Sequence, residues 1–222
     1  MREIVPETLQ TLAETVATRI RERVVNGQLT PGRHLSELTL SEELQVSRNT
    51  LREAFRLLTR EGLLRYEANR GVFVSTPGMS TIIDIYRIRR FIEIPAVAQA
   101  NPHHPAVTKM RASVERALKC RSAADWLGVG SADINFHAAI VELADSPRLV
   151  AFYAQVSLEL RLVFGLLQNP EFLHAPFIDQ NHKIVKLLED DNATVAAETL
   201  EVYLLQAERF ILGAYARVAP EH

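Results

Sequence analysis

A chain of 222 residues and 25.0 kDa, 47% hydrophobic and 23% charged, can bury one large core or two ordinary ones, and extensive disorder is excluded. The formal net charge of −2 excludes a general polycation, so a nucleic-acid partner has to be met by a local concentration of positive charge. The single Cys120 excludes an internal disulfide and has no zinc-type spacing around it. The opening MREIVPETLQ lacks the apolar core of a signal peptide, and no stretch approaches the roughly 18 apolar residues of a membrane span. The expectation is a cytoplasmic protein with no membrane partner.

Leu9, Leu12, Val16, Ile20 and Val24 recur at helical spacing, which predicts a helix over 8–26 with Gly27 as its stop. Thr30-Pro31-Gly32 is a turn. LTLSEELQV (38–46) predicts a short helix with Leu40 and Leu44 inward. Ser47 then reads as the N-cap of a further helix that Gly62 ends. In LLRYEANRGVFV (63–74) two strand-like ends flank Ala68-Asn69-Arg70-Gly71, a turn with two residues that tolerate positive φ, and this predicts a β-hairpin. STPGMS (75–80) breaks any helix and reads as a linker. Beyond it, segments near 81–100, 105–120, 122–144, 147–168, 176–190 and 193–217 carry apolar residues three and four apart, with breaks at Pro102, Pro105, Pro147, Pro170 and Pro176. The predicted fold is mainly α. It has an N-terminal winged helix-turn-helix of three helices plus a β-hairpin over 1–76 and a linker at 77–80. An antiparallel bundle of six or seven helices follows over 81–222.

In a winged helix-turn-helix the second helix of the motif enters the major groove, and its first residues meet base edges. Here the turn is Leu44-Gln45-Val46-Ser47, and Arg48, Asn49 and Thr50 open that helix. Arginine can pair with guanine O6/N7 and asparagine with adenine N6/N7. Between Leu44 and Val74 six arginines face three glutamates, a local excess of positive charge inside a slightly negative chain. Arg48, Arg52, Arg56 and Arg60 recur every fourth residue along one face. Such a row seen alone is more often a solvated surface; the preceding turn and the following hairpin shift the balance. Ser47, Arg48, Asn49, Thr50 and Arg52, with Asn69, Arg70 and Gly71 at the hairpin tip, are the candidate DNA contacts. Arg56 lies at the margin, and Arg60 at the far end is expected to meet solvent or an acidic neighbour.

The run 27–74 resembles the DNA-binding domain of the GntR family of bacterial transcription regulators. The resemblance is carried by Pro31-Gly32 before Leu35, Val46-Ser47-Arg48, Leu51-Arg52-Glu53-Ala54, Leu58, Glu61-Gly62-Leu63, and Arg70-Gly71 before Val74. It implies that Arg48, Arg52, Asn49, Thr50 and the wing glycine Gly71 contact operator DNA. Two positions depart from the family pattern. Gln45 stands where the turn commonly has glycine, and Asn49-Thr50 replaces a common Thr-Pro.

The second half resembles the ligand-sensing FCD domain of the FadR subfamily. Tyr86, Arg89, Glu93 and Ala96 match its first helix. Asp133, Phe136 and His137, followed by Pro147 and Leu149, match its central signature. The resemblance implies a homodimer that binds a short palindromic DNA operator, answers to a small organic acid as effector, and acts as a repressor. It also implies a divalent metal such as Zn or Ni held by one Asp and three His. Asp133 and His137, at i and i+4, share one helix face. Asn181 and Tyr203 fall at the other two ligand positions in an ungapped alignment, with His182 next door. The readings left open are a metal at Asp133, His137 and His182, an organic pocket of Asp133, His137, Asn181 and Tyr203, and satisfied polar groups within the bundle. Of Arg89 and Arg90, the resemblance points to Arg89 as the group that takes a carboxylate. His103, His104 and His174 read as loop residues, with His174 also a weak metal candidate. No P-loop, Ser/His/Asp order or nucleophile motif stands out, so an enzyme is not expected. The remaining alternative is a DNA-binding protein whose helical half only dimerises.

Overall fold

The first helix, α1 (Leu12–Val25), begins where Thr11 can cap it. The Glu14 N–H donates to the Thr11 hydroxyl at 3.2 Å, and the Thr11 N–H donates to the Glu14 carboxylate at 2.7 Å, a closed capping box. The computed structural model describes residues 11–167 and 169–218, so the predicted start at 8–10, with Leu9, lies outside the described residues. The chain forms two compact units that divide between Ser75 and Thr76.

In the first unit α1 buries Ala13, Val16, Ala17, Ile20 and Val24 and packs on α3 (Arg48–Arg60). Both Arg21 Nε and Nη2 donate to Glu61, at 2.7 and 2.6 Å, and tie α1 to the end of α3. Between them, α2 (Glu37–Leu44) is capped by Ser36 and stops two residues short of the predicted 38–46. It stops because Gln45 turns left-handed, at φ 56 and ψ 45. An L-residue can take that conformation at a modest cost, so the turn closes without glycine. The hairpin is present as β2 (Leu64–Glu67) and β3 (Gly71–Val74), with Asn69 and Gly71 at positive φ. A strand that the sequence does not announce, β1 (His34–Leu35), adds to β3 and makes an antiparallel sheet of order β1-β3-β2. Two residues are too few to show a period. The strand forms because the Pro31-Gly32 turn delivers Arg33 to Val74, whose N–H donates to the Arg33 carbonyl at 2.9 Å.

The second unit contains six helices among its described residues. They are α4 (Met79–Ala98), α5 (Pro105–Ser122), α6 (Trp126–Glu142), α7 (Pro147–Leu166), α8 (Pro170–Glu189) and α9 (Ala193–Val218). Three of them open on a proline, whose missing N–H costs nothing in the first turn. Two predicted breaks move. Helix α4 starts at Met79, inside the stretch 77–80 read as linker. Pro176 lies within α8, which already begins at Pro170 behind the cap Asn169. Leu173, Phe177 and Ile178, all buried, hold the α8 backbone helical on both sides of Pro176, so packing overrides its local preference. His174, predicted in a loop, is therefore helical, whereas His104 caps α5 by accepting from the Ala106 N–H at 3.1 Å. Helix α7 corrects another expectation: by length and composition it could cross a membrane. Glu159 and Arg161 interrupt its apolar run, and it lays Val156, Leu160 and Val163 into the bundle core.

Candidate functional site

Two constellations carry chemistry, one in each unit. In the first, Ser47 stands at the mouth of α3 with extended backbone and accepts from the Thr50 N–H at 3.1 Å; its hydroxyl also meets that of Thr50 at 2.9 Å. The cap fixes where α3 begins, so Arg48 and Asn49 project, exposed, from its first turn. That turn carries no acid, so the partial positive charge of the helix end is not neutralised from within the helix. Leu51, Ala54, Phe55 and Leu58 are buried on the opposite face. Arg52 is exposed but not idle: its Nε donates to Glu37 at 2.9 Å, from α3 to α2. Arg56 and Arg60 make no ion pair among the described residues. They line a groove of about 760 Å³ with Phe55, Thr59, Tyr66 and Val72. The acid next to Arg60, Glu61, is committed to Arg21 instead. At the hairpin tip Asn69 and Arg70 are exposed, and Arg70 pairs with Glu67 at 2.6 Å while lying over the Phe73 ring.

In the second unit Arg89 and Glu93 lie one turn apart on α4, both buried, with Arg89 only 2% exposed. Arg89 Nε donates to Glu93 at 2.8 Å, the Tyr153 hydroxyl donates to the same oxygen at 2.5 Å, and His137 Nδ1 lies 2.6 Å from the other. Burial by itself would push the Glu93 carboxyl up, but the Arg89 charge, then His137, outweigh it and hold it at about 2. Its neighbours Tyr153 and Tyr203 are pushed the other way by burial, reinforced by Glu93 for Tyr153 and by Asp133 for Tyr203, so both remain phenols. On its far side His137 Nε2 stands 3.0 Å from the Tyr203 hydroxyl, which is itself 3.3 Å from Asp133 Oδ1. Asn181 Nδ2 donates to that same oxygen at 2.8 Å. Among the described residues four buried side-chain polar atoms have no hydrogen-bond partner: Arg65 Nε in the first unit, and Arg89 Nη2, Arg161 Nε and Asn181 Oδ1 in the second.

The predicted residues Arg89, Asp133, His137, Asn181 and Tyr203 therefore meet in one network. His182 does not: it is exposed on α8, about 100° round the helix from Asn181. Arg90 turns away to pair with Glu208 on α9. The network also holds Glu93 and Tyr153, which sequence reasoning does not nominate. Glu93 is legible in hindsight, four residues after Arg89 on one helix face. Nothing local marks Tyr153, which arrives from α7. His174 is buried nearby against Phe164, with burial pushing its pKa down and Asp133 opposing that.

The donors do not fit a divalent ion. Asp133 and His137 are the only good ligands of the four positions; an amide and a phenol are poor ones. Both His137 nitrogens are engaged, and no three Asp, Glu, His or Cys side chains converge on one point among the described residues.

Comparison with known proteins agrees with this layout. Residues 12–74 match the model of bacterial regulatory proteins of the gntR family, and residues 84–206 match the FCD domain. The chain is similar to a structure from Rhodococcus sp. RHA1, assigned as a transcriptional regulator GntR, with 37% identity and a TM-score of 0.88. That alignment covers 91% of this chain and 98% of that one. It is 27% identical to the Nta operon transcriptional regulator of Aminobacter aminovorans, over 85% of this chain and 90% of the relative. It is 26% identical to the galactonate operon transcriptional repressor of Escherichia coli (strain K12), over 84% and 92%. These relatives are regulators and not enzymes. A capped recognition helix beside a β-wing, followed by a helical bundle with a buried polar centre, thus belongs to a member of the GntR family of bacterial regulatory proteins that carries an FCD domain.

Proposed function

We propose that this regulator is a homodimeric repressor that binds a short palindromic operator and answers to a small carboxylate-bearing metabolite. The observation that carries the DNA half is the first turn of α3, where Arg48 and Asn49 are exposed at a helix N-terminus without an acid. Arg48 and Asn49 read base edges, Ser47 and Thr50 set the helix start against the phosphates, and Arg52 flanks them. Asn69, Arg70 and Gly71 bring the wing to the neighbouring groove. Two copies related by a two-fold axis would place two such helices on two half-sites.

The effector half rests on Arg89. Its Nη2 is a buried donor without a partner, on a guanidinium that Glu93 neutralises through Nε. An unpartnered buried donor is costly, and a carboxylate oxygen delivered there removes that cost. The E. coli relative named for a galactonate operon is consistent with control of organic-acid genes. Binding in the bundle would change the placement of the two heads, and their spacing would no longer fit the half-sites.

Selection of bound fragments from random DNA tests the first half. A palindrome is expected, bound with steep salt dependence. Wild-type binding by both Arg48→Ala and Arg52→Ala would remove α3 from the interface. Thermal denaturation against a panel of organic acids tests the second half, since a ligand of the native state raises the melting temperature. If no acid raises it and none alters operator binding, the bundle only dimerises.

A further inference from the structure

The geometry points to the Tyr203 hydroxyl as the group that stands in place of a metal, so that this FCD domain keeps its polar centre ordered without an ion. The inference deepens the proposed effector site, but its test reads metal content directly and does not depend on any effector.

Asp133 Oδ1 and His137 Nε2 lie 3.8 Å apart on one face of α6. Donors at that separation can share an ion, because each metal–ligand bond is about 2.0–2.2 Å. The Tyr203 hydroxyl instead bridges them, 3.0 Å from the nitrogen and 3.3 Å from the oxygen. At those lengths the hydroxyl is hydrogen-bonded to both groups.

Both ring nitrogens of His137 are engaged. His137 Nδ1 lies 2.6 Å from Glu93, which leaves Nε2 as the nitrogen that faces Tyr203. If Nε2 is bare, it accepts the Tyr203 hydroxyl proton. If Nε2 is protonated, it donates to the Tyr203 oxygen, and Tyr203 donates to Asp133. Either way the nitrogen that would face an ion is already used.

Asn181 completes the replacement. It turns its N–H₂ end to Asp133 at 2.8 Å and leaves its carbonyl oxygen, the better ligand, without a partner. The Asp133 carboxylate therefore faces hydrogen-bond donors where a cation's charge would otherwise be supplied. Those donors come from α8 and α9, so the network ties together helices that an ion would have clamped.

The experiment is elemental analysis of the purified full-length chain, with thermal denaturation in Zn, Ni and Mn chlorides with and without a chelator. The wild type is expected to hold well under one ion per chain and to melt at the same temperature in every condition. The variants Y203H and N181H/Y203H rebuild three and four donors. They are expected to take up about one ion per chain and to gain about 5 °C or more on metal addition, reversed by chelator. One ion per wild-type chain, lost in Asp133→Ala, overturns the proposal. So does a metal-dependent rise in wild-type melting temperature that Tyr203→Phe leaves intact. Should the histidine variants fail to fold, wild-type metal content and Tyr203→Phe still decide it. A failure to find an operator would instead sink the DNA reading and leave this result standing.

Discussion

The protein uses arginine in two opposite ways. On α3, Arg48, Arg52, Arg56 and Arg60 are exposed, and the one ion pair they make among the described residues, Arg52 with Glu37, is itself exposed. On α4, Arg89 is buried against Glu93, Tyr86 and the hydrophobic core. An exposed pair contributes about 0.2–1 kcal/mol. A buried pair contributes little net stability when intact, yet breaking it costs about 3–5 kcal/mol because the surviving charge is stranded. The first arrangement keeps charge available to a partner. The second fixes charge in place and makes it part of the fold.

The sharpest test of that contrast is Glu93→Ala. It should destabilise the chain by about 3–5 kcal/mol in guanidinium denaturation, because Arg89 loses its counter-charge. A loss below about 1 kcal/mol would mean that water reaches the pair and the contrast fails.

Next in size is the acid response. The folded Glu93 carboxyl lies at about 2, below its ordinary 4.5. A depressed carboxyl stabilises the fold fully above the ordinary value and loses that contribution as pH falls towards the folded one. The free energy of unfolding should therefore drop by a few kcal/mol between pH 4.5 and 2, and Glu93→Gln should flatten the drop. An equal drop in that variant would assign acid sensitivity to other groups.

Arg48→Ala should show the opposite profile. Stability should stay within about 0.5 kcal/mol, while operator binding, measured by fluorescence anisotropy, weakens by about 1–3 kcal/mol. If binding instead weakens equally on every DNA sequence and the salt slope falls by about 1, Arg48 touches phosphate and not bases.

The smallest expected effect belongs to Glu37→Gln, which releases Arg52. Stability should fall by less than about 1 kcal/mol, and operator affinity should rise modestly as a competing carboxylate disappears. Unchanged affinity would mean that Arg52 serves α2 more than DNA.

Much of the first unit is legible in the chain because its determinants are local. Ser47 caps α3 and Gly62 follows its end, while Asn69 and Gly71 make the hairpin turn; each position is set by backbone chemistry within a few residues. The two-residue β1 escapes because its existence depends on a partner strand about forty residues away, not on its own pattern. Pro176 misleads for a related reason. Its local tendency to break a helix is real, but buried neighbours on both sides hold the helix through it.

The polar centre divides along the same line. Asp133 with His137, and Arg89 with Glu93, are pairs at helical spacing, so one helix face is enough to suggest each. Which pairs meet, and what closes the gap between them, depends on five helices arriving together. Sequence numbering alone leaves His182 as close to the site as Asn181; the rotation of α8 buries the amide and exposes the imidazole. By itself the sequence determined the two-unit architecture, the start and end of α3 and the identity of most polar groups in the bundle, since spacing, caps and turns act over short range. Only the tertiary structure decided that Arg90 faces Glu208, that Tyr153 joins Glu93, and that the Tyr203 hydroxyl spans Asp133 and His137. Those contacts link residues up to 118 apart, and a hydrogen bond depends on atoms meeting within a few tenths of an ångström, which no periodicity specifies.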